Sequence, residues 1–259
     1  MSDELVHLEI AGGVATITLD SPANRNALSR ALLSGLETSL ETALNDDRAR
    51  LIVLTHTGPV FCSGADLKEM RGGGSPGQPA GPGGLVTILK TIWRSPKPVI
   101  ARVGGPTRAG GIGLIAACDM AVAVEEATFA FSEVRLGLIP AIISVVIIPK
   151  LGVTKAMELF LTGETFDATE AASFGLLNAA VPAKQLDETV DGYVASILKG
   201  APGALWGCKR LVREVPGMTL DEAFAQTSQW SAEYFGSEEA IEGMTAFAQK
   251  RPPRWAGDE

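Results

Sequence analysis

Two apolar runs, each ending in a turn of small residues, constrain this chain more than any other feature. The first lies in LIVLTHTGPVFCSGADLKEM and the second in KPVIARVGGPTRAGGIGLIAACD. Such a run followed by Gly, Ala or Ser and then a helical pattern reads as a strand, turn and helix, and repeated units of this kind specify an α/β protein. Residues 51–54 read as a buried strand, 61–65 as its turn and 66–71 as the first turn of a helix. In the second segment residues 99–103 are the strand, Ala109-Gly110-Gly111 the turn and 112–118 the helix. Small residues let backbone N–H groups approach a ligand closely. If both turns face one point, the N–H groups of Ala65 and Gly110 form an oxyanion hole. Each such donor is worth about 2.7–4 kcal/mol to a carbonyl oxygen gaining charge. Either turn alone is an ordinary feature of an α/β fold.

The rest of the chain repeats the rhythm. Residues 14–19 alternate as a strand and meet SPANRN, a turn signal before a helix that starts near Ser29 and ends before Asp46. A strand pair is expected at 120–124 and 128–131. Residues 71–84 are mostly Gly, Pro and small polar residues, which cannot pack a core and read as a mobile loop. From about Ala201 onward apolar residues recur at helical spacing in 204–212, 220–235 and 238–248. The chain therefore divides into an α/β core, 1–200, and a helical region, 201–259.

With 259 residues, of which 46% are hydrophobic, the chain can bury a large core. The net charge of −8, with no basic run, argues against nucleic acid as a partner. Without a basic and apolar leader or an apolar run long enough to span a bilayer, a cytoplasmic location is expected and no membrane association. Cys62, Cys118 and Cys208 are an odd, widely spaced set, suited to reduced core thiols. His7 and His56 add no metal-like spacing, so no metal is expected.

The two segments, together with VATITLDSPANRNALS, ATFAFSEVRLGLIPA, LTGETFDATEAASFGLLNAAVPA and EGMTAFAQKRPPRW, resemble the crotonase superfamily, also called the enoyl-CoA hydratase/isomerase family. The resemblance covers nearly the whole chain. It implies a spiral of strand-strand-helix units with a C-terminal helical oligomerisation region that builds homotrimers, often paired as dimers of trimers. It also implies an acyl-CoA thioester substrate, with coenzyme A entering as part of that substrate and no permanently bound cofactor. By register, Glu133 in FSEVRLGLIP matches a catalytic glutamate, and Ala65 and Gly110 match the oxyanion-hole donors. The family's other glutamate falls on Gly113, where no proton carrier exists. The backbone of Cys62, Ser63 and Ala65 matches the border of the adenine and thioester. Asp66, Leu67 and Lys68 start the helix beside pantetheine and phosphates, Asp66 serving equally well as a helix-start residue. Arg25 and Ala27 match the other wall of the CoA channel, and Lys250 a basic residue that reaches the CoA phosphates. The loop at 71–84 corresponds to a border of the acyl pocket.

Three functions remain open at this point: a 2-enoyl-CoA hydratase in which Glu133 handles both water and proton, a Δ3,Δ2-enoyl-CoA isomerase, and a CoA-binding scaffold with little turnover. The wording around Glu133, including Arg135 and PAIIS, is most similar to hydratases and nearest to a methylglutaconyl-CoA-hydratase-like branch. Ile142 and Ile143 stand where many straight-chain hydratases carry glycine, which suggests a narrowed acyl pocket or, alternatively, core packing. Arg108 stands where an apolar residue is usual, either at the surface or paired with an acidic acyl tail or a nearby carboxylate.

Overall fold

The chain opens with a hairpin that the sequence reading does not anticipate. Strands β1 (Val6–Ala11) and β2 (Val14–Leu19) pair antiparallel around Gly12-Gly13, whose φ angles of +57° and +82° suit a tight two-residue turn. The structure, a computed structural model, describes residues 4–71 and 84–256. The interior of the expected 71–84 loop lies outside the described residues.

After the hairpin, α1 (Arg30–Asn45) is capped by the Ser29 side chain, which accepts from the Leu32 N–H, and buries Leu32, Leu36, Leu40 and Ala43 along one face. There follow β3 (Leu51–His56), α2 (Leu67–Arg71), α3 (Gly84–Arg94), β4 (Val99–Val103), β5 (Thr107–Arg108), α4 (Gly110–Ala117), β6 (Met120–Val124) and β7 (Thr128–Ala130). The second half runs through α5 (Ala141–Thr162), β8 (Thr165–Asp167), α6 (Ala168–Ser173), β9 (Ala179–Val181) and α7 (Leu186–Leu198). It closes with α8 (Pro202–Glu214), α9 (Leu220–Phe235) and α10 (Glu238–Gln249).

Six strands form one sheet in the order β1-β2-β3-β4-β6-β9, and from β2 onward every neighbour is parallel. Parallel strands need crossovers that cover the sheet, which explains why β3 is buried over five successive residues, the first four of them apolar. The strands skipped by this sheet, β5 and β7, join β8 in a second, three-stranded sheet. The chain thus alternates between two sheets as it winds, which matches the expected spiral of strand-strand-helix units. Two details differ from the sequence reading. Helix α4 begins at Gly110, two residues early, so only Ala109 remains as the turn. Of the three cysteines, Cys62 and Cys118 are buried, each thiol pushed up to about 12 by burial, whereas Cys208 is exposed on α8 rather than in the core.

Two polar clamps fix the crossings. Arg50 donates to the carbonyls of Leu198 and Gly200 at 2.9 and 2.6 Å and to that of Trp255, tying the C-terminal region back onto the start of β3. Asn26 is fully buried with φ +50°; its Oδ1 accepts from Ser21 N–H at 2.7 Å and its Nδ2 donates to Thr57 and Val60 carbonyls at 3.1 and 2.9 Å. This amide holds the turn after β2 against the segment leaving β3. We expect Asn26→Ala to destabilise the protein by about 3 kcal/mol, since it orphans buried backbone groups and strains a left-handed position. Chemical denaturation of both proteins, compared at constant slope, measures it.

Candidate active site

The two turns meet through their backbones, Arg108 N–H donating to Cys62 O at 2.9 Å. The segment after β2 joins them, with Leu28 N–H donating to Gly64 O at 2.8 Å and Ser63 N–H to Arg25 O at 3.0 Å. Isolated parallel bridges join Leu28 to Ala65 and Cys62 to Thr107. Gly64, at φ +91°, packs so closely that an added Cβ would stand 3.2 Å from the Ala109 Cβ. Any side chain at 64 would wedge the two turns apart.

Ala109 has φ +47° and ψ −118°, a conformation that glycine adopts freely and alanine reaches at a cost of about 1–3 kcal/mol. That strain turns the chain abruptly from β5 into α4. The Ala109 carbonyl accepts from Ile112 and Gly113 N–H at 2.9 and 3.3 Å, while its side chain gives no cap. The first helical N–H groups are therefore orphans at the positive end of α4. Among the described residues, the N–H groups of Ala65, Gly110 and Gly111 have no acceptor. Glycine is required at 111, where a Cβ would stand 2.6 Å from the Cys62 Cβ; at Gly110 a Cβ would meet only side-chain ends, Leu28 Cδ1 at 2.6 Å and Leu85 Cδ2 at 3.3 Å.

Glu133 reaches this neighbourhood through β7. Ala109 N–H donates to Ala130 O at 3.2 Å, which locks the end of β7 beside the start of α4. The chain then enters a short 3-10 turn, Ser132–Leu136, whose exit is set by Gly137 in the left-handed region. One carboxylate oxygen of Glu133, Oε2, is buried without a partner among the described residues. Burial pushes the carboxyl above the ordinary glutamate range, opposed by a backbone N–H. A partly desolvated, underused carboxylate is the kind of group that proton transfer requires.

Gly113, three residues along α4 from Gly110, faces Ile143 on α5. A Cβ at 113 would stand 2.4 Å from Ile143 Cγ2 and 3.0 Å from Ile143 Cβ. The volume that a side chain at 113 would need is already filled with methyl groups. Ile143 is buried and Ile142 exposed, so the two neighbouring isoleucines have different roles.

The remaining sequence-predicted residues divide between the turns and the surface. Ala27 and Cys62 are buried beside the crossing, and Ser63 and Arg25 meet through their backbones. Arg25 extends into solvent from a left-handed position, and Leu67 and Lys68 are exposed on α2. The Asp66 carboxylate accepts from the Asn24 amide at 2.7 Å and from Lys68 and Glu69 N–H at 2.9 and 3.2 Å. It caps α2, and the Asn24 bond chiefly holds its carboxyl below the ordinary range. Lys250 ends α10 in the left-handed region, exposed, on a helix that packs against α9. Arg108 is neither a surface residue nor paired with a carboxylate among the described residues. Its guanidinium donates to Thr107 and Thr128 carbonyls at 2.9 and 2.5 Å and to Thr128 Oγ1 at 3.0 Å, clamping β5 to β7. The sequence reading missed that clamp and the Asn26 amide. In both, the polar partner is a backbone carbonyl, which no side-chain motif announces. Among the described residues no cluster of His, Cys, Asp and Glu could hold a metal ion.

The sequence profile described as enoyl-CoA hydratase/isomerase matches residues 9–258. A carnitinyl-CoA dehydratase of Shigella flexneri is 33% identical over 260 residues, covering 98% of this chain and 99% of the relative. The crystal structure of an enoyl-CoA hydratase from Shewanella pealeana superposes with a TM-score of 0.91 at 31% identity, covering 97% of this chain and 96% of that one. An enoyl-CoA hydratase structure from Mycobacterium smegmatis gives 0.88 at 33%, covering 98% and 99%.

The Gly113 contact generates a double-mutant test. Gly113→Glu alone is expected to lower stability by about 1–3 kcal/mol through overpacking against Ile143. Combined with Ile143→Gly it should cost less than the sum of the two single changes. Additive melting-temperature losses would contradict the contact.

Proposed function

The chain belongs to the enoyl-CoA hydratase/isomerase family, and on that premise we propose that it is a hydratase that adds water across the C2=C3 bond of a 2-enoyl-CoA thioester. In this reading the thioester oxygen sits between the Ala65 and Gly110 N–H groups. Nucleophilic attack at C3 pushes electron density onto that oxygen, and the two donors at the crossing of the turns lower the energy of the resulting enolate. Glu133 acts as the proton carrier: as carboxylate it takes a proton from the attacking water, and as carboxylic acid it returns one to C2. The observation that carries the reading is the buried, unpartnered Glu133 Oε2 on the turn that follows β7, whose end is hydrogen-bonded through Ala130 O to Ala109 at the start of α4.

Binding of the CoA portion falls to the crossing strand and to local cations. The backbone of Cys62 and Ser63 and the side of Ala27 line the channel, with Leu67 beside the pantetheine and Arg25, Lys68 and Lys250 toward the phosphates. Cations must be local, because a chain of net charge −8 repels a polyanion at long range. Asp66 contributes by shaping α2, since its carboxylate oxygens are engaged within the chain.

An isomerase reading is favoured by one feature, the apolar filling of position 113. Shuttling a proton between C4 and C2 over a stabilised dienolate needs a single carboxylate. A short or branched acyl group, as in the breakdown of fatty acids or branched-chain amino acids, suits a site narrowed by Ile143. The exposed apolar face of α5, with Val145 at 73%, Val153 at 71% and Leu161 at 67% exposure, supports a homotrimer or a dimer of trimers, with 201–259 as an oligomerisation region. No helix among the described residues is long and apolar enough to cross a membrane.

Glu133→Gln is expected to lower kcat on crotonyl-CoA by about 10²–10⁴-fold with KM nearly unchanged. Wild-type turnover should rise with pH through the raised Glu133 pKa, and the variant should lose that limb. The stability sign is opposite. A carboxyl raised by burial stabilises the fold below its unfolded pKa, and this contribution is lost as pH rises through its folded value. At neutral pH the variant should therefore be at least as stable as wild type. Unchanged turnover in Glu133→Gln would overturn the assignment.

A further inference from the structure

Helix α4 ends in a second charged environment that the proposed reaction does not use. Beyond its C-terminus, a cavity of about 720 Å³ lies between the core and α8. Three cations line it, Lys150, Lys209 and Arg213, against one carboxylate, Asp119. Lys209 Nζ donates to Asp119 Oδ2 at 2.7 Å and to Lys97 O at 3.0 Å. Arg213 Nη2 donates to Asp119 Oδ1 at 2.7 Å and to Ala117 O at 3.4 Å. Lys150 Nζ donates to Cys118 O at 3.0 Å. Val99 N–H takes up Asp119 Oδ2 as well, at 2.7 Å. Among the described residues no other carboxylate pairs with these three cations.

The charge balance decides what this cluster can be. Three cations and one carboxylate leave +2 when all are ionised. Capping the carbonyl end of α4 accounts for some of it, but a helix end carries only about half a negative charge. More than one positive charge stays uncompensated in a partly buried place, where an unpaired ion is costly. Burial accordingly pulls Lys150, Lys209 and Arg213 below their ordinary pKa values. Donors also remain unused: Arg213 Nη1 is buried without a partner, and Lys150 uses one of its three N–H groups. The guanidinium stacks 4.3 Å from the Trp93 ring, which fixes its plane. Ile100, Leu205 and Val212 make the adjoining wall apolar.

We propose that this cavity binds an oxyanion, phosphate or carboxylate, between Lys150, Lys209 and Arg213. The eight residues of α4 place it about 12 Å from the Gly110 turn. It is therefore separate from the acyl-CoA site proposed above and does not depend on that reading. Calorimetric titration of the full chain with sodium phosphate and with sodium butyrate, each against sodium chloride at equal ionic strength, tests it. At least one oxyanion should bind saturably with one ion per chain; phosphate alone would indicate a compact dianion and butyrate alone a carboxylate with an apolar body. Lys150→Met should weaken that binding at least about tenfold, the worth of one charge-assisted hydrogen bond, without altering thioester turnover. Lys150→Arg, which keeps the charge, should retain it and controls for folding. Heats indistinguishable from chloride, or a Lys150→Met variant that binds as tightly as wild type, would overturn the proposal.

Discussion

The contact on which the rest of this structure depends is the edge-to-edge meeting of two turns, at Gly64 and Ala109. The segments after β3 and β5 both run into helices, and their turns touch because neither carries a side chain that would hold them apart. Hydrogen bonds from Arg108 to Cys62 and from Phe61 to Pro106 then stitch the two segments together, and one from Leu28 to Gly64 ties in the turn after β2. Ala109 sits in a conformation that alanine enters only under strain, with a cost of about 1–3 kcal/mol. Packing on every side of that turn, from Cys62 and Thr107 on Gly111 to Ile143 on Gly113, supplies the offsetting stabilisation. The result is a set of N–H groups with no acceptor among the described residues, an unfavourable arrangement in a core and a useful one in a site.

How much of this could be read from the sequence depends on which interactions hold each part. Strands 14–19 and 99–103, the helix after Ser29 and the helices near 220 and 238 were legible because they rest on local apolar periodicity and caps. The hairpin at Gly12-Gly13 carried its own turn signal and could have been found from it. Residues such as Asn26, Arg108 and Arg50 were opaque, since they act by donating to carbonyls distant in sequence. Arg108 shows this most directly: its position invited a surface or carboxylate partner, and the fold supplied the carbonyl of Thr128 instead. At Asp66 both readings were open, and the structure engages its oxygens in capping α2.

Position 113 shows why a missing side chain is informative only in three dimensions. A glycine where a carboxylate is expected could leave an empty space for water or for another residue. Here Ile143 fills that volume, so the wall is apolar and no second proton carrier enters from α4. In the proposed reaction the whole of proton transfer is assigned to Glu133, whose carboxyl burial pushes above the ordinary glutamate range.

The most direct measurement is steady-state turnover on a panel of 2-enoyl-CoA and 3-enoyl-CoA thioesters, including crotonyl, methylcrotonyl and methylglutaconyl forms, with hydration and double-bond migration followed separately. The account predicts hydration of at least one short or branched 2-enoyl thioester, faster than any migration. Migration without hydration would contradict it and make Glu133 the proton shuttle of an isomerase.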